Sequence, residues 1–338
     1  LAFGATRRYD AAVILAGDVG GTKTHLALFT REAGARRPAF DQRYPSRDHA
    51  SLEALVVSFL AEAGSPAVTR AAFGIAGVVV GNRCETTNLP WHVDGAIVAG
   101  VLGGAPVTLL NDLAVTAHGL DVLEPSDLET LQPGAPEPGV RAVLAAGTGL
   151  GMVAAVRGEG AVRAIASEGG HADFAARSAD EAALLGWLRE RYGRVSVERV
   201  LSGRGLADLY RFLGAIGRGA EPREFAARFA AAPDPAAVVS EGALQGQCER
   251  ATLALAFFVS LYGAEAGNLA LRTLPLEGLY LGGGIAPRVR PALRDGRFMQ
   301  AFHDKAPMQS LMSRVPVHLI LDDQTALWGA AHVALADA

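Results

Sequence analysis

AVILAGDVGGTKTHLALF, Ala12 to Phe29, reads as two apolar strands joined by a tight polar turn. Ala12 to Ala16 is a short apolar run of the kind that forms a fully buried strand. Thr24, Leu26 and Leu28 support a second strand directly after it. The turn between them holds Gly17, Asp18, Val19, Gly20, Gly21, Thr22 and Lys23, and so gathers a carboxylate, a hydroxyl and an ammonium. Gly20 and Gly21 let the backbone turn tightly and leave main-chain N–H groups open to an anion. That mixture suits a nucleotide phosphate with its Mg²⁺. A bare Gly-Gly would be an ordinary hairpin turn. A Walker loop is excluded: Thr22 stands where that motif needs glycine, and a strand follows where it needs a helix. The dinucleotide fingerprint is absent as well.

The pattern returns in AVLAAGTGLGMVAAV, Ala142 to Val156, as a weak internal repeat. Its turn carries Gly147, Thr148, Gly149 and Gly151. Two such hairpins, facing each other, would hold a triphosphate from both sides. Asn111 and Asp112 end a strand over Pro106 to Leu110. They read either as the cap of a helix over Leu113 to Leu120 or as ligand-facing groups beyond the carboxyl end of a strand. In SEGGHADF, Gly169 and Gly170 disfavour a helix, so Glu168 and His171 sit on a loop. A carboxylate and an imidazole there suit hydrogen bonding to hydroxyls; His171 alone reads as a structural histidine. Glu198 alone reads as a solvated or salt-bridged charge. The strand Gly278 to Leu281 runs into Gly282, Gly283 and Gly284, which implies a close backbone approach, such as that of a flat ligand.

The chain has 338 residues, half of them hydrophobic and 20% charged, with net charge −4. That length points to two domains and a large core. The pI near 6.1 argues against a nucleic-acid footprint. Cys84 and Cys248, without a CxxC, suggest a reducing compartment. No signal-peptide pattern is visible, and residues 1–11 read as a disordered lead-in. The segment Ala251 to Leu271 is the most apolar helix candidate. Its uninterrupted apolar part is shorter than the roughly 20 residues of a membrane span, so it reads as a buried core helix. Further helices are expected over Ser51 to Ala63, Asp94 to Leu102, 179–192 behind a Ser178/Glu181 capping box and Thr325 to Leu335, and Leu206 to Ile216, Pro222 to Ala232 and Pro235 to Leu269 read as mainly helical. Strands are expected over Ala39 to Arg43, Arg70 to Ala76 and Pro316 to Leu321. Leu123 to Gly139, with four prolines, reads as a surface connection.

GDVGGTKT, LLNDL, AAGTGLG, EGGHADF, VERVLSG and LGGGIAPR occur in the order found in bacterial glucokinases, which the chain resembles from about Ile14 to its end. The resemblance implies the ribonuclease H-like, actin-like fold of the sugar kinase, actin and heat-shock chaperone ATPase superfamily. A smaller α/β domain would span 12–122 plus 322–338 and a larger α+β domain 123–321, with the active site in the cleft. It implies ATP-dependent phosphorylation of glucose at the 6-hydroxyl, in a cytoplasmic homodimer with no nucleic-acid or membrane partner. Asp112 would be the general base. Asn88, Asn111, Glu168, His171 and Glu198 would bind the other sugar hydroxyls. Gly17 through Lys23, including Val19, would form one phosphate loop, with Gly20, Gly21 and Thr22 on the phosphates. Gly147, Thr148 and Gly149 would form the other loop. Asp18 would position Mg²⁺, and Gly282, Gly283 and Gly284 would line the adenosine. Lys23 stands where many family members carry asparagine, and Ser167 where proline or glycine is frequent.

Three rival readings remain. One is a kinase of another hexose, such as mannose, fructose or an N-acetylhexosamine; the cysteine-rich zinc loop of the related repressor/kinase group is missing. A sugar-sensing regulator would need a helix-turn-helix, for which the short lead-in leaves no room. An actin-like or chaperone-like ATPase would not need Asn111-Asp112 together with EGGH.

Overall fold

The structure is a computed structural model that describes residues 13–86, 89–158 and 162–336. The expected lead-in over 1–11 and the sugar-side candidate Asn88 lie outside the described residues. The residues up to Glu124 together with those from Asp322 onward form one compact unit, and Pro125–Leu321 form a second.

The first unit begins with β1 (Val13–Val19), β2 (Lys23–Thr30) and β3 (Phe40–Pro45). Helix α1 (Leu52–Glu62) and β4 (Val68–Ile75) follow. Then come β5 (Gly77–Val80), β6 (Arg83–Thr86), β7 (His92–Asp94), α2 (Gly95–Val101), β8 (Val107–Asn111) and α3 (Asp112–Gly119). The main sheet has the order β3-β2-β1-β4-β8. β1, β4 and β8 run parallel, and β2 and β3 complete an antiparallel flank.

Strand alternation sorts β1 onto two apolar layers. Val13, Leu15 and Val19 pack with Leu55, Val56 and Phe59 of α1 and with Val98 of α2. Ile14 and Ala16 face Val115 of α3 and the apolar residues of the C-terminal helix, Leu327, Trp328 and Ala331. Gly74 lets α3 lie close to the sheet, because a Cβ there would stand 2.2 Å from Val115. Sequence reading missed β5, β6 and β7, which form a separate three-stranded antiparallel sheet. These strands are three or four residues long, too short to show a period.

The second unit contains β9 (Leu128–Gln132), β10 (Val140–Ala146), β11 (Leu150–Arg157) and β12 (Val162–Ser167). Next are α4 (Ala179–Tyr192), α5 (Val197–Val200), α6 (Gly203–Ala215), α7 (Arg223–Ala231), α8 (Pro235–Leu244) and α9 (Glu249–Thr273). It closes with β13 (Gly278–Gly282), α10 (Arg290–Leu293), α11 (Arg297–His303), α12 (Gln309–Met312) and β14 (Val317–Ile320). Helix α13 (Thr325–Ala336) returns to the first unit. The sheet order is β12-β11-β10-β13-β14-β9.

The expected second hairpin is present: β10 and β11 pair antiparallel from Val140↔Val156 to Ala146↔Leu150. Helix α9 is the spine of this core, with Phe258 and Tyr262 fully buried. The Tyr262 hydroxyl donates to the Leu144 carbonyl at 3.0 Å. By length and composition alone α9 could cross a membrane, yet 72% of its most apolar window is buried within the protein.

One expectation is corrected here and another is resolved into its parts. The segment 123–139 is not all connection, because β9 pairs with β14 at the sheet edge. An edge strand buries little, so its polar, proline-flanked sequence carried no strand signal. The mainly helical stretch expected over Pro235 to Leu269 consists of two helices, α8 and α9, parted where Gly246 takes φ +65°. Glycine reaches that conformation without the strain a side chain would bring.

Candidate active site

In the first unit the site residues gather at the carboxyl end of the parallel strands. The sheet register places Arg43, His25, Asp18, Gly74 and Leu110 in one row across β3, β2, β1, β4 and β8. Residues opposite one another in a sheet point to the same face. Asp18 is therefore the last β1 residue on the face that carries α3, and Gly74 beside it makes room for Val115 of that helix. Asn111 ends β8 and caps α3: its Oδ1 accepts from the Leu113 N–H at 2.9 Å. Asp112 opens α3, and its Oδ1 accepts from the same N–H at 2.9 Å. The cap and the ligand-facing reading of Asn111-Asp112 are thus compatible.

Electrostatics ties these groups together. Burial pushes the Asp18 carboxyl up from 3.8 to about 7, the negative charge of Asp112 pushes the same way, and Arg43 opposes them. Arg43 Nε donates to His25 Nδ1 at 3.4 Å, and His25 Nε2 meets Asp41 Oδ2 at 2.9 Å. A guanidinium can only donate, so the imidazole proton sits on Nε2. Among the described residues no group of three or more His, Cys, Asp and Glu forms a metal cage. A surplus of carboxylate charge at Asp18 and Asp112 suits Mg²⁺, which is typically held by one or two carboxylates together with substrate phosphates.

The β1–β2 turn is braced from below. Gly20 N–H donates to the Lys23 carbonyl at 3.0 Å, closing the turn. Ser46, fully buried, donates through Oγ to the Gly20 carbonyl at 2.7 Å and meets Thr24 Oγ1 at 3.0 Å. Thr22 and Lys23 stand exposed above this brace. Gly17 and Val19 do not present themselves to a ligand. Val19 is buried in the core, and a Cβ on Gly17 would stand 2.5 Å from Phe73, so packing explains that glycine.

In the second unit the β10–β11 turn, the 168–173 loop and α5 lock together. Glu198 Oε2 accepts from the Leu150 N–H at 2.9 Å. A Cβ on Gly149 would lie 2.5 Å from that same oxygen, so Gly149 makes room for Glu198. Glu198 is therefore neither simply solvated nor salt-bridged. Glu168 precedes and His171 ends a single 3₁₀ turn, their side chains 3.9 Å apart and more than half exposed. Val197 N–H to the Ala172 carbonyl at 2.9 Å, and Arg194 to the His171 carbonyl at 2.7 Å, fasten that loop to the start of α5. Glu168, His171 and Glu198 thus share one neighbourhood next to Gly147, Thr148 and Gly149.

The glycine run after β13 divides its roles. Gly283 takes φ +79°, and a Cβ there would lie 2.4 Å from the Ala146 carbonyl. The close approach read from the sequence is thus made by the protein's own backbone. Gly284 has open space around it and, with Gly147 and Thr148, lines a cavity of about 580 Å³. That volume falls within the range of small-molecule sites. Gly282 and Gly283 are not on its wall.

A family model for glucokinase matches residues 15–337. A glucokinase of Synechocystis sp. is 44% identical, over 94% of this chain and 96% of its own length. The chain belongs to the glucokinase family. A glucokinase of Chromobacterium violaceum is 37% identical over 95% of this chain and 89% of its own. The crystal structure of a glucokinase from an Antarctic psychrotroph matches with a TM-score of 0.81 at 31% identity, over 97% of this chain and 99% of that one. As a member of the glucokinase family, this chain has an actin-like ATPase fold and is an ATP-dependent sugar kinase acting on a hexose. Sequence reasoning did not find two supports of the glucokinase-type site, Ser46 and the Arg43–His25 pair. Both act through tertiary register, and neither carries a local signal.

Proposed function

We propose that this chain phosphorylates glucose at its 6-hydroxyl with ATP, giving glucose 6-phosphate and ADP. Asp112 carries the reading: a carboxylate at the end of a parallel strand, in the first turn of a helix, where negative charge is favoured. Asp112 accepts the proton of the 6-hydroxyl as its oxygen attacks the terminal phosphorus, in line with the leaving ADP oxygen. Asn111 keeps one N–H and one lone pair for the sugar. Its other donor is spent on the Gly77 carbonyl at 3.1 Å, and its other acceptor position on the helix cap. Glu168, His171 and Glu198 bind the remaining hydroxyls.

Gly20, Gly21 and Thr22 bind donor phosphate, and so do Gly147 and Thr148. Asp18 would position Mg²⁺, which would supply positive charge to offset that developing on the donor phosphates. Positioning and charge stabilisation supply most of the rate. Cys84 and Cys248 are buried free thiols, which supports a cytoplasmic location. Assembly as a homodimer rests on the family resemblance.

The test is a coupled assay for glucose 6-phosphate with ATP and Mg²⁺, repeated across hexoses. Glucose should show the highest kcat/KM. A preference for mannose, fructose or an N-acetylhexosamine would overturn the substrate assignment.

A further inference from the structure

The cavity beside Gly147, Thr148 and Gly284 has a wall of unusual charge. It carries four arginines, Arg199, Arg204, Arg211 and Arg288, against two aspartates, Asp208 and Asp234. Most of these charges have local employment. Arg211 meets the buried Asp208 at 2.9 Å. The Arg199 guanidinium lies over the Tyr192 ring, 4.1 Å from its centroid. Asp234 caps α8 by accepting from the Ala237 N–H at 3.2 Å.

Arg204 and Arg288 are different. Both are exposed, and among the described residues neither has an ion-pair, hydrogen-bond or ring partner. They stand on separate elements: Arg204 in the first turn of α6, Arg288 in the segment that follows β13. A cation in the first turn of a helix is disfavoured by the helix dipole. The N-termini of α6 and α8 also add positive potential to the same cavity. Two free guanidiniums within a positive cavity, with no carboxylate of their own, suit a polyanion from outside.

We infer that Arg204 and Arg288 bind the anionic phosphates of the phosphoryl donor and set its affinity. This rests on reading the cavity as the donor site. The bland alternative is two solvated surface arginines, and the two differ in what they do to donor binding.

The experiment is calorimetric titration of ADP into the sugar-free protein at low and moderate salt. It covers the parent, Arg204→Ala, Arg288→Ala, the double variant and the two Lys variants. Arg189→Ala, an exposed change on α4 away from the cavity wall, controls for net charge. Each alanine variant should weaken ADP about tenfold, in keeping with a lost charge-assisted hydrogen bond. The double variant should also lose most of the salt dependence. Lysine should restore the salt dependence but only part of the affinity, because an ammonium lacks the planar fork. The dissociation constant for glucose and the melting temperature should not move. A double variant that binds ADP within twofold of the parent, or no worse than Arg189→Ala, overturns the inference. A parent that binds no ADP brings down the donor-site reading itself, and this inference with it.

Discussion

At the scale of single residues, Asp18 and Asp112 are one electrostatic unit read from two distant motifs. Asp112→Asn keeps the cap geometry of α3 and removes the base. Turnover should fall by about 10²–10⁴-fold, the usual worth of general base catalysis, while calorimetric glucose binding stays near that of the parent. Near-normal turnover would remove Asp112 from that role. Asp18 makes a stability prediction in metal-free buffer. Its folded value of about 7 lies above the ordinary 3.8, so the folded state binds the extra proton. This residue's contribution is therefore most favourable at low pH and is lost as pH rises from about 4 to about 7. Asp18→Asn should raise the melting temperature in EDTA more at pH 8 than at pH 5. An equal shift at both values would show that Asp18 is not strained by burial and by Asp112. Both carboxylates were legible in the sequence because each sits in a local motif. The row Arg43–His25–Asp18 was not, because its members meet only through strand register.

At the scale of elements, the β1–β2 turn is shaped from outside itself. Ser46→Ala leaves the Gly20 carbonyl without its hydroxyl donor and the buried Thr24 hydroxyl without its partner. The cost should be about 1–3 kcal/mol in urea unfolding. The donor KM should rise more than the glucose KM, because the loosened loop is the phosphate loop. An unchanged donor KM would show that the brace serves stability alone. Long elements were plain in the sequence: α1 falls within the helix expected over Ser51 to Ala63, and α4 begins at its expected cap, Ser178. The Ser178/Glu181 box closes differently from the expected pattern, since Glu181 Oε2 accepts from the Arg177 N–H at 2.7 Å. Short strands were invisible, and β9 was hidden because an edge strand needs no apolar face.

At the scale of the whole molecule, the chain leaves its first unit near Glu124 and returns at Asp322. What returns is α13, whose Leu327, Trp328, Ala330 and Ala331 are buried in the layer beneath β1 and β4. Gly329 lets it cross α3 closely, since a Cβ there would lie 1.8 Å from the Val115 carbonyl. Trp328 Nε1 donates to Asp322 at 2.8 Å, and Arg36 reaches the same carboxylate at 3.4 Å. Each large side chain buried there is worth about 1.5–3 kcal/mol, so the first unit is incomplete without this helix. A chain ended after Leu321 should lose the cooperative unfolding of the first unit in calorimetry. Retention of a full parent-like transition would show α13 to be dispensable.

Periodicity and glycine placement determined by themselves that there are two apolar hairpins, a strand ending in Asn111-Asp112, and a loop offering Glu168 and His171. These are local properties, because a strand's alternation and a turn's glycines are set by neighbours in the chain. Only the tertiary structure decided which glycines serve the protein and which face a ligand. Gly17, Gly149 and Gly283 make room for Phe73, Glu198 and the Ala146 carbonyl, whereas Gly284 opens on a cavity. The reason is steric: a missing side chain looks the same in any sequence, and what fills its space comes from residues far along the chain.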